Sequence, residues 1–468
     1  GLILKSLTSY QKLEKEQSTD GDRLTEDTIS IDRLGFYSPD NWDALPYWDN
    51  NSKAFSQELN LSRKGDNLDW VVGAYYLDHD NYNNFLEVTG SAPFSASAAA
   101  LANPSVGTLP PFQSVLNFVE ERTVSRQDLA IYGQSTYRVN EQLALTAGVR
   151  WQDEKQTDYG EQFFGIFGPF KRTTNDKAVT WKVGIDLHLT EDNMVYGLVS
   201  TGWKNGGTNP AAITGGAILL PVGFDPEEVT AFEMGSRNTF LDGRIRFNAT
   251  AFYYDHENLQ YIFEDPVPHG GGTNTIAELE EYGIETEFSV QLSQTWRLDG
   301  MLSIQDGKIK GDHFALDPID FREALAPGIG YYTGGGFDAK MGLVNSTNLK
   351  GNEPPKMPDL MSRIGLTNTH YFQNGAELTS RIEYVHRGEM QGRVFNNPLY
   401  DKIASYDIVN ISFSYDMISS PLIFGLVVSN AGDEDGINNR FNNPFGVWST
   451  SDEYIPPRQV IASVKYSW

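Results

Sequence analysis

A few clusters in this chain carry side chains that could do chemistry. Asp78, His79 and Asp80 bring two carboxylates and an imidazole together in sequence, the donor types of a divalent-metal site. Residues 432–436 read Gly-Asp-Glu-Asp-Gly, which suggests calcium. His313, Tyr331 and Tyr332, with glycines at 334–336, put aromatics on a flexible stretch that could stack on a sugar or a catechol. Lys182, Asp186 and His188 fall on even positions of a single run. Each cluster also has a plainer reading. Adjacent strand residues face opposite ways, so His79 and its two aspartates do not converge and read as a solvated loop edge. The acidic run lacks the spaced ligands of an EF-hand loop and reads as a turn. The tyrosines need only pack their own loop, and Lys182, Asp186 and His188 need only be wet. No nucleophile stands beside a base in a motif context, and no glycine-rich phosphate loop occurs. The residues point to no enzyme, cofactor or metal site. They leave Tyr331, Tyr332 and His313 as candidate ligand contacts.

Such residues need a scaffold, and the scaffold is written in period two. Val179, Trp181, Val183, Ile185, Leu187 and Leu189 alternate with Thr180, Lys182, Gly184, Asp186 and His188. Successive strand residues point to opposite faces, so one face is apolar and the other polar. Leu143, Leu145, Ala147, Val149 and Trp151 repeat the pattern, as do Ile245, Phe247, Ala249, Ala251 and Tyr253, and Val409, Ile411, Phe413 and Tyr415. An apolar exterior around a polar interior suits a barrel in lipid, where charges on the outer face are costly.

The alternation predicts about 16 strands, near 1–15, 54–63, 68–80, 118–138, 143–156, 178–189, 194–204, 228–239, 243–259, 279–291, 296–307, 359–372, 376–389, 405–417, 421–430 and 457–468. Their joins alternate in length. Short ones are Lys64–Asn67, Val139–Gln142, Thr190–Asn193, Thr239–Gly243, Leu292–Thr295, Gln373–Gly375 and Ile418–Ser420. Long ones include Asn81–Asn117 and Lys308–Pro358. A transmembrane antiparallel up-and-down β-barrel has this asymmetry, with short periplasmic turns and long extracellular loops. The competing all-β fold is a sandwich with one solvated face. Strand length, one-sided loops and aromatics beside the short turns (Tyr137, Phe240, Trp296, Tyr371, Phe372 and Tyr415) favour the barrel.

Composition agrees. The 468 residues show no break or linker, so residues 1–468 read as one transmembrane β-barrel domain. There are no cysteines, hence no disulfide framework. With 36 basic and 62 acidic residues the net charge is -26, which excludes nucleic acid as a partner. No apolar run approaches the ~20 residues of a helical span. In the last run Val464, Tyr466 and Trp468 share one face, and they resemble the C-terminal signal that outer-membrane barrels present to their assembly machinery.

Several stretches then resemble the TonB-dependent outer-membrane receptors. "SLTSYQ" at Ser6–Gln11 and Phe55–Asp80 look like early strands of that family. Leu129–Gln156 has its Y-G-Q-x-T-Y strand, turn and G-x-R return. "VYGLVSTGWKNGGTN" at Val195–Asn209 looks like the strand entering the family's glycine-rich loop, and Phe232–Gln260 like its E-x-G-x-[KR] hairpin. "LEEYGIETEFSVQL", "LKGNEPPKMPD" and "PPRQVIASVKYSW" follow in order. The likeness covers nearly all strands and almost none of the long loops. It implies a barrel of about 22 strands around a plug. The plug domain and about six strands would then precede Gly1.

The resemblance also implies a function: ligand-gated uptake of a scarce nutrient across the bacterial outer membrane, with a ferric siderophore as the first candidate. The implied partners are the TonB energy-transducing complex, reached through the missing N-terminal region, the barrel-assembly machinery, outer-membrane lipid and lipopolysaccharide, and a small-molecule ligand. A passive 16-stranded porin, TonB-dependent uptake of an oligosaccharide or other organic nutrient, and a structural or adhesive surface protein are the alternatives.

Overall fold

In the computed structural model the described residues are 1–18, 44–89, 115–162, 167–209, 223–266, 269–317, 346–417, 420–442 and 450–466. They form a 16-stranded sheet, and each predicted run becomes one strand of it. In chain order the strands are Leu2–Ser18, Ala44–Arg63, Leu68–Thr89, Val115–Arg138, Leu143–Gln162, Phe167–His188, Asn193–Lys204, Glu227–Phe240, Ile245–Pro266, His269–Gln291, Trp296–Ile309, Leu360–Tyr371, Glu377–Arg387, Tyr406–Asp416, Leu422–Ser429 and Gln459–Tyr466. Each pairs antiparallel with its neighbours in the chain. Among the described residues no ladder joins Leu2–Ser18 to Gln459–Tyr466, so both stand as sheet edges. Four two-stranded ladders, such as Phe314–Leu316 with Ser346–Asn348, sit in the long connections.

The faces sort by chemistry. Val179, Trp181, Val183, Ile185, Leu187 and Leu189 are all exposed, as are Leu145, Val149, Phe232, Met234 and Ile284. In water this would be a large apolar liability; on a barrel wall it is the surface lipid wets. The inner row of the same strands carries Arg150, Gln152, Lys182 and Asp186, with Arg150 opposite Thr180 and Lys182 opposite Gly148.

The short turns share one construction. The N–H of Val139 donates to Leu143 O at 2.8 Å, Leu189 to Asn193 O at 2.8 Å, Leu292 to Trp296 O at 2.9 Å and Phe372 to Ala376 O at 2.8 Å. Inside each of these four a small polar side chain accepts from backbone N–H groups two or three residues on, Asn374 Oδ1 taking Ala376 at 3.1 Å in the last. Asn140 Oδ1 takes Gln142 and Leu143 at 2.9 and 2.8 Å; Ser293 Oγ takes Thr295 and Trp296 at 3.2 and 3.1 Å; Thr190 Oγ1 takes Asp192 at 3.2 Å. Asn, Ser and Thr favour such turns for this reason. Exposed aromatics flank them, with Tyr137, Phe240 and Trp296 on the outer face and Tyr371 and Phe372 beside the turn at 373–375.

At the opposite end the strands run further than expected. Ala44–Arg63 begins ten residues before the predicted 54, and Leu68–Thr89 and Phe167–His188 are longer by similar margins. Asn81–Thr89 and Val115–Asn117, expected in a loop, are strand. Above the lipid both faces are wet, so apolar alternation disappears while the ladder continues. Asparagines take over, with Asn50 opposite Asn83 and Asn50 Nδ2 donating to Asn81 Oδ1 at 3.1 Å.

Candidate functional site

The long-loop end is where the fold gathers side chains from many strands. Two ion-paired knots organise it. The first grows from the inner row of Val115–Arg138 and Leu143–Gln162. Arg122 grips Asp158 with both arms, Nε to Oδ1 at 2.8 Å and Nη2 to Oδ2 at 2.6 Å. Asp158 is only 1% exposed. Thr208 Oγ1 donates to the same carboxylate at 2.9 Å, and Arg122 donates back to Thr208 O at 3.2 Å. Thus the segment 205–209 is strapped across the inner wall.

The strap's sequence explains its path. Gly207 pairs with Phe224 in a short ladder, and a β-carbon there would run into the Phe224 ring. Arg172 donates to Asn209 O. Asn209 then exchanges two hydrogen bonds of 2.8 Å with the backbone of Thr273. The segment 205–209 therefore ties three hairpins together. Below it Arg126 donates to Glu154 at 2.6 Å and Gln152 to Asp128 at 2.9 Å. Asp128 and Glu154 face each other across the ladder, both buried, each with one oxygen lacking a partner among the described residues.

The second knot joins three long connections. Arg393 donates to Asp401 Oδ1 at 2.6 Å and to Asp317 Oδ1 at 2.8 Å, and both carboxylates are buried. Burial opposes the guanidinium charge, but Asp317 and Asp401 outweigh it and hold Arg393 protonated. Asn352 Nδ2 donates to Val394 O and Phe395 O at 2.9 and 3.0 Å, and Asn396 Oδ1 accepts from Glu353 N–H at 2.7 Å. Arg440 pairs with Asp452 at 2.6 and 2.9 Å and donates to Lys402 O at 3.0 Å.

The singled-out residues fall as follows. His313 lies at the foot of the Phe314–Leu316 strand. Its Nε2 is 3.0 Å from the Tyr261 hydroxyl and its ring meets Tyr261 edge-on at 5.8 Å. Burial pushes this imidazole below its ordinary value. Tyr331, Tyr332 and the glycines 334–336 lie outside the described residues, as does Trp468; Val464 and Tyr466 are exposed on the last strand. His79 is a strand residue, not a loop edge. Its Nε2 is 2.8 Å from Ser52 Oγ, and Asp78 and Asp80 alternate to the other face. In the acidic turn Asn430 brackets Glu434, accepting from its N–H and donating to its carbonyl at 2.9 Å each, while Asp433 accepts from Arg458 N–H at 2.8 Å. His188 lines a cleft of about 270 Å³ at the short-turn end with Arg237, Arg246 and Asn248. The knots themselves escaped the sequence reading. Glu120, Arg122, Arg126 and Asp128, on one face at even spacing, were the available signal, but nothing local named their partners.

The profile of the family described as TonB dependent receptor-like, beta-barrel matches residues 4–431. Among curated relatives, the metal-pseudopaline receptor CntO of Pseudomonas aeruginosa is 26% identical over 243 residues, covering 50% of this chain and 32% of that protein. The pesticin receptor of Yersinia pestis is 24% identical over 333 residues, 68% of this chain and 44% of that protein. Among solved structures, the siderophore receptor PiuA from Acinetobacter baumannii superposes with a TM-score of 0.70 at 16% identity, over 99% of this chain and 62% of that one. The ferric yersiniabactin uptake receptor FyuA from Yersinia pestis gives 0.67 at 15%, over 99% and 61%. The chain thus spans about a third to less than half of these curated relatives. With strand order, faces and profile in agreement, it belongs to the TonB dependent receptor-like β-barrel family.

Proposed function

We propose that this chain is the wall of a TonB-driven receptor that takes up a scarce metal chelate, with a ferric siderophore as first candidate, across the bacterial outer membrane. The observation that carries this reading is the shared character of the relatives: a metal-pseudopaline receptor, a probable TonB-dependent siderophore receptor and a pesticin receptor. In this reading residues 1–468 form one barrel domain. The short turns face the periplasm and the long connections face outward. The two knots hold those connections in place for cargo, and His313, Tyr331 and Tyr332 are the first residues to test as contacts. TonB is engaged through an N-terminal region, and Val464, Tyr466 and Trp468 serve recognition by the barrel-assembly machinery. Lipid and lipopolysaccharide surround the wall. No residue is assigned a catalytic role.

The test is uptake by cells carrying the whole gene, its deletion, and a strain lacking TonB. With radiolabelled iron on a panel of siderophores, deletion should abolish accumulation of one chelate, and loss of TonB should do the same. Unchanged accumulation of every chelate, together with TonB-independent permeation of small sugars into liposomes holding the purified protein, would establish a passive pore instead.

A further inference from the structure

Three carboxylates stand in one row across the inner wall. Asp128 is opposite Glu154, and Glu154 is opposite Asp176. Beside them on the outer face Asp153 pairs with Lys177 at 3.0 Å, so the row lies just above the apolar band. Glu154 is 1% exposed and Asp128 4%. One oxygen of each is engaged: Arg126 donates to Glu154 Oε2 at 2.6 Å and Gln152 to Asp128 Oδ2 at 2.9 Å. The other two, Glu154 Oε1 and Asp128 Oδ1, are buried and have no partner among the described residues. Directly opposed residues bring their β-carbons to about 4.5–5.5 Å, which leaves the two carboxyl groups within reach of one another.

Two buried acceptors cannot satisfy one another without a proton between them. Ionised, they also set like charges face to face where little water can solvate them. The surroundings do not cancel that charge. On the strand of Asp128, Arg126 is bound to Glu154 and Tyr132 lies further down the same face. The strand of Glu154 adds Arg150 below, acting on Asp128, and Asp158 above, which Arg122 already holds. The strand beyond Asp128 offers Leu77 opposite it and His79 opposite Arg126. The strand beyond Glu154 brings Asp176, and Asp225 from the far end of the strap's ladder adds to it. Arg126 and Arg150 thus face Asp128, Glu154, Asp176 and Asp225. A water bridging Arg126 Nε, which is orphaned as well, to both oxygens would leave this charge as it stands. A proton removes one charge and joins both oxygens.

We propose that Asp128 and Glu154 share one proton at neutral pH and that this proton latches the strap. The coupling runs through neighbours. Asp176 accepts the Gly206 N–H, and Gln156, next on the face of Glu154, accepts from Asn205 Nδ2 at 3.2 Å. The folded row holds a proton that the unfolded chain has released, so the strap weakens as pH rises. The inference concerns the inner wall and does not rest on the identity of the cargo. Infrared spectroscopy of the full-length protein in detergent tests it. At neutral pH the unmodified protein should show the carbonyl stretch of a protonated carboxylic acid, separate from the carboxylate bands. Asp128→Asn and Glu154→Gln should each abolish that same band, since the proton belongs to the pair. As pH is raised the band should fade, and amide exchange at 205–209 should quicken by about fivefold beyond its intrinsic pH dependence. In E154Q that added step should vanish. Heat-modifiable migration in gels checks that the variants are folded; should neither fold, the parallel titration of band and strap in the unmodified protein still decides. Absence of the band at neutral pH overturns the proposal. So does a band that survives in both folded variants, or one that titrates while the strap stays unchanged. Strap protection that a chelator removes and calcium restores, with no acid band, overturns it too and assigns the row to a bound cation.

Discussion

The two rims of this wall are built on opposite principles. At the short-turn rim the turns close on local bonds, and what crosses between hairpins is exposed, as in the Arg138–Asp69 pair. Asn140, Thr190 and Ser293 each satisfy backbone groups two or three residues away. At the long-loop rim the bonds reach across the chain. Arg122 reaches Thr208 over 86 positions, and Arg393 reaches Asp317 over 76. The first rim tolerates damage hairpin by hairpin. The second concentrates its integrity in a few buried charges, because a charge removed from such a pair leaves its partner in a medium that cannot solvate it. In the proposed receptor the two rims would face different compartments, so one end needs only to close hairpins while the other must hold a shape.

The largest expected effect tests that concentration. Arg393→Met removes the guanidinium that the buried Asp317 and Asp401 share, at a cost of about 3–5 kcal/mol. Amide exchange in the full-length protein should then lose protection across 388–405 and 346–358 while the wall strands keep theirs. Persistent protection in those loops would mean that their backbone contacts suffice. A somewhat smaller loss, about 2–3 kcal/mol, is expected for Arg122→Ala, since Thr208 still donates to Asp158. Limited proteolysis should open the strap at 205–209, and an uncut strap would show that the Asn209–Thr273 bonds hold it alone.

Turn substitutions should be milder and confined. Gly243 sits at φ +86°, so Gly243→Val forces a β-branched residue into the left-handed region at about 1–2 kcal/mol. Asn140→Ala gives up two backbone bonds, about 1 kcal/mol. Denaturant unfolding in micelles should register both, with exchange at the knots unchanged; a change there would dissolve the contrast between the rims. The smallest effect is a pH dependence. Burial lowers the His313 imidazole in the folded state, so its contribution to stability is complete above the ordinary histidine value of about 6.5 and is lost as pH falls through the lowered folded value. Exchange at 312–316 should quicken on acidification, exchange at Val139–Leu143 should show no such added step, and His313→Leu should remove the effect.

Much of this was legible beforehand, unevenly. The Val179–Leu189 run declared its faces because lipid tolerates polar groups on one side only, and Val183 and Ile185 are indeed exposed beside inward Lys182 and Asp186. The upper halves of the strands were not legible. Asn50, Asn81 and Asn83 look like loop residues, yet they pair in register because a ladder needs backbone, not alternation, once both faces are wet. His79 failed as a loop edge for that reason. Arg122, Asp158, Arg393 and Asp401 were invisible as partners, since nothing in a local window relates residues brought together by strand order.

The amino-acid sequence by itself determined the wall, its inside and outside, and where each hairpin turns. Those properties depend on the solvent each face meets and on bonds a few residues long. Only the tertiary structure decided which charges neutralise one another and how the strap crosses the inner wall. Ion pairing at such separations is set by the meeting of distant strands, and composition alone cannot say which carboxylate an arginine will find.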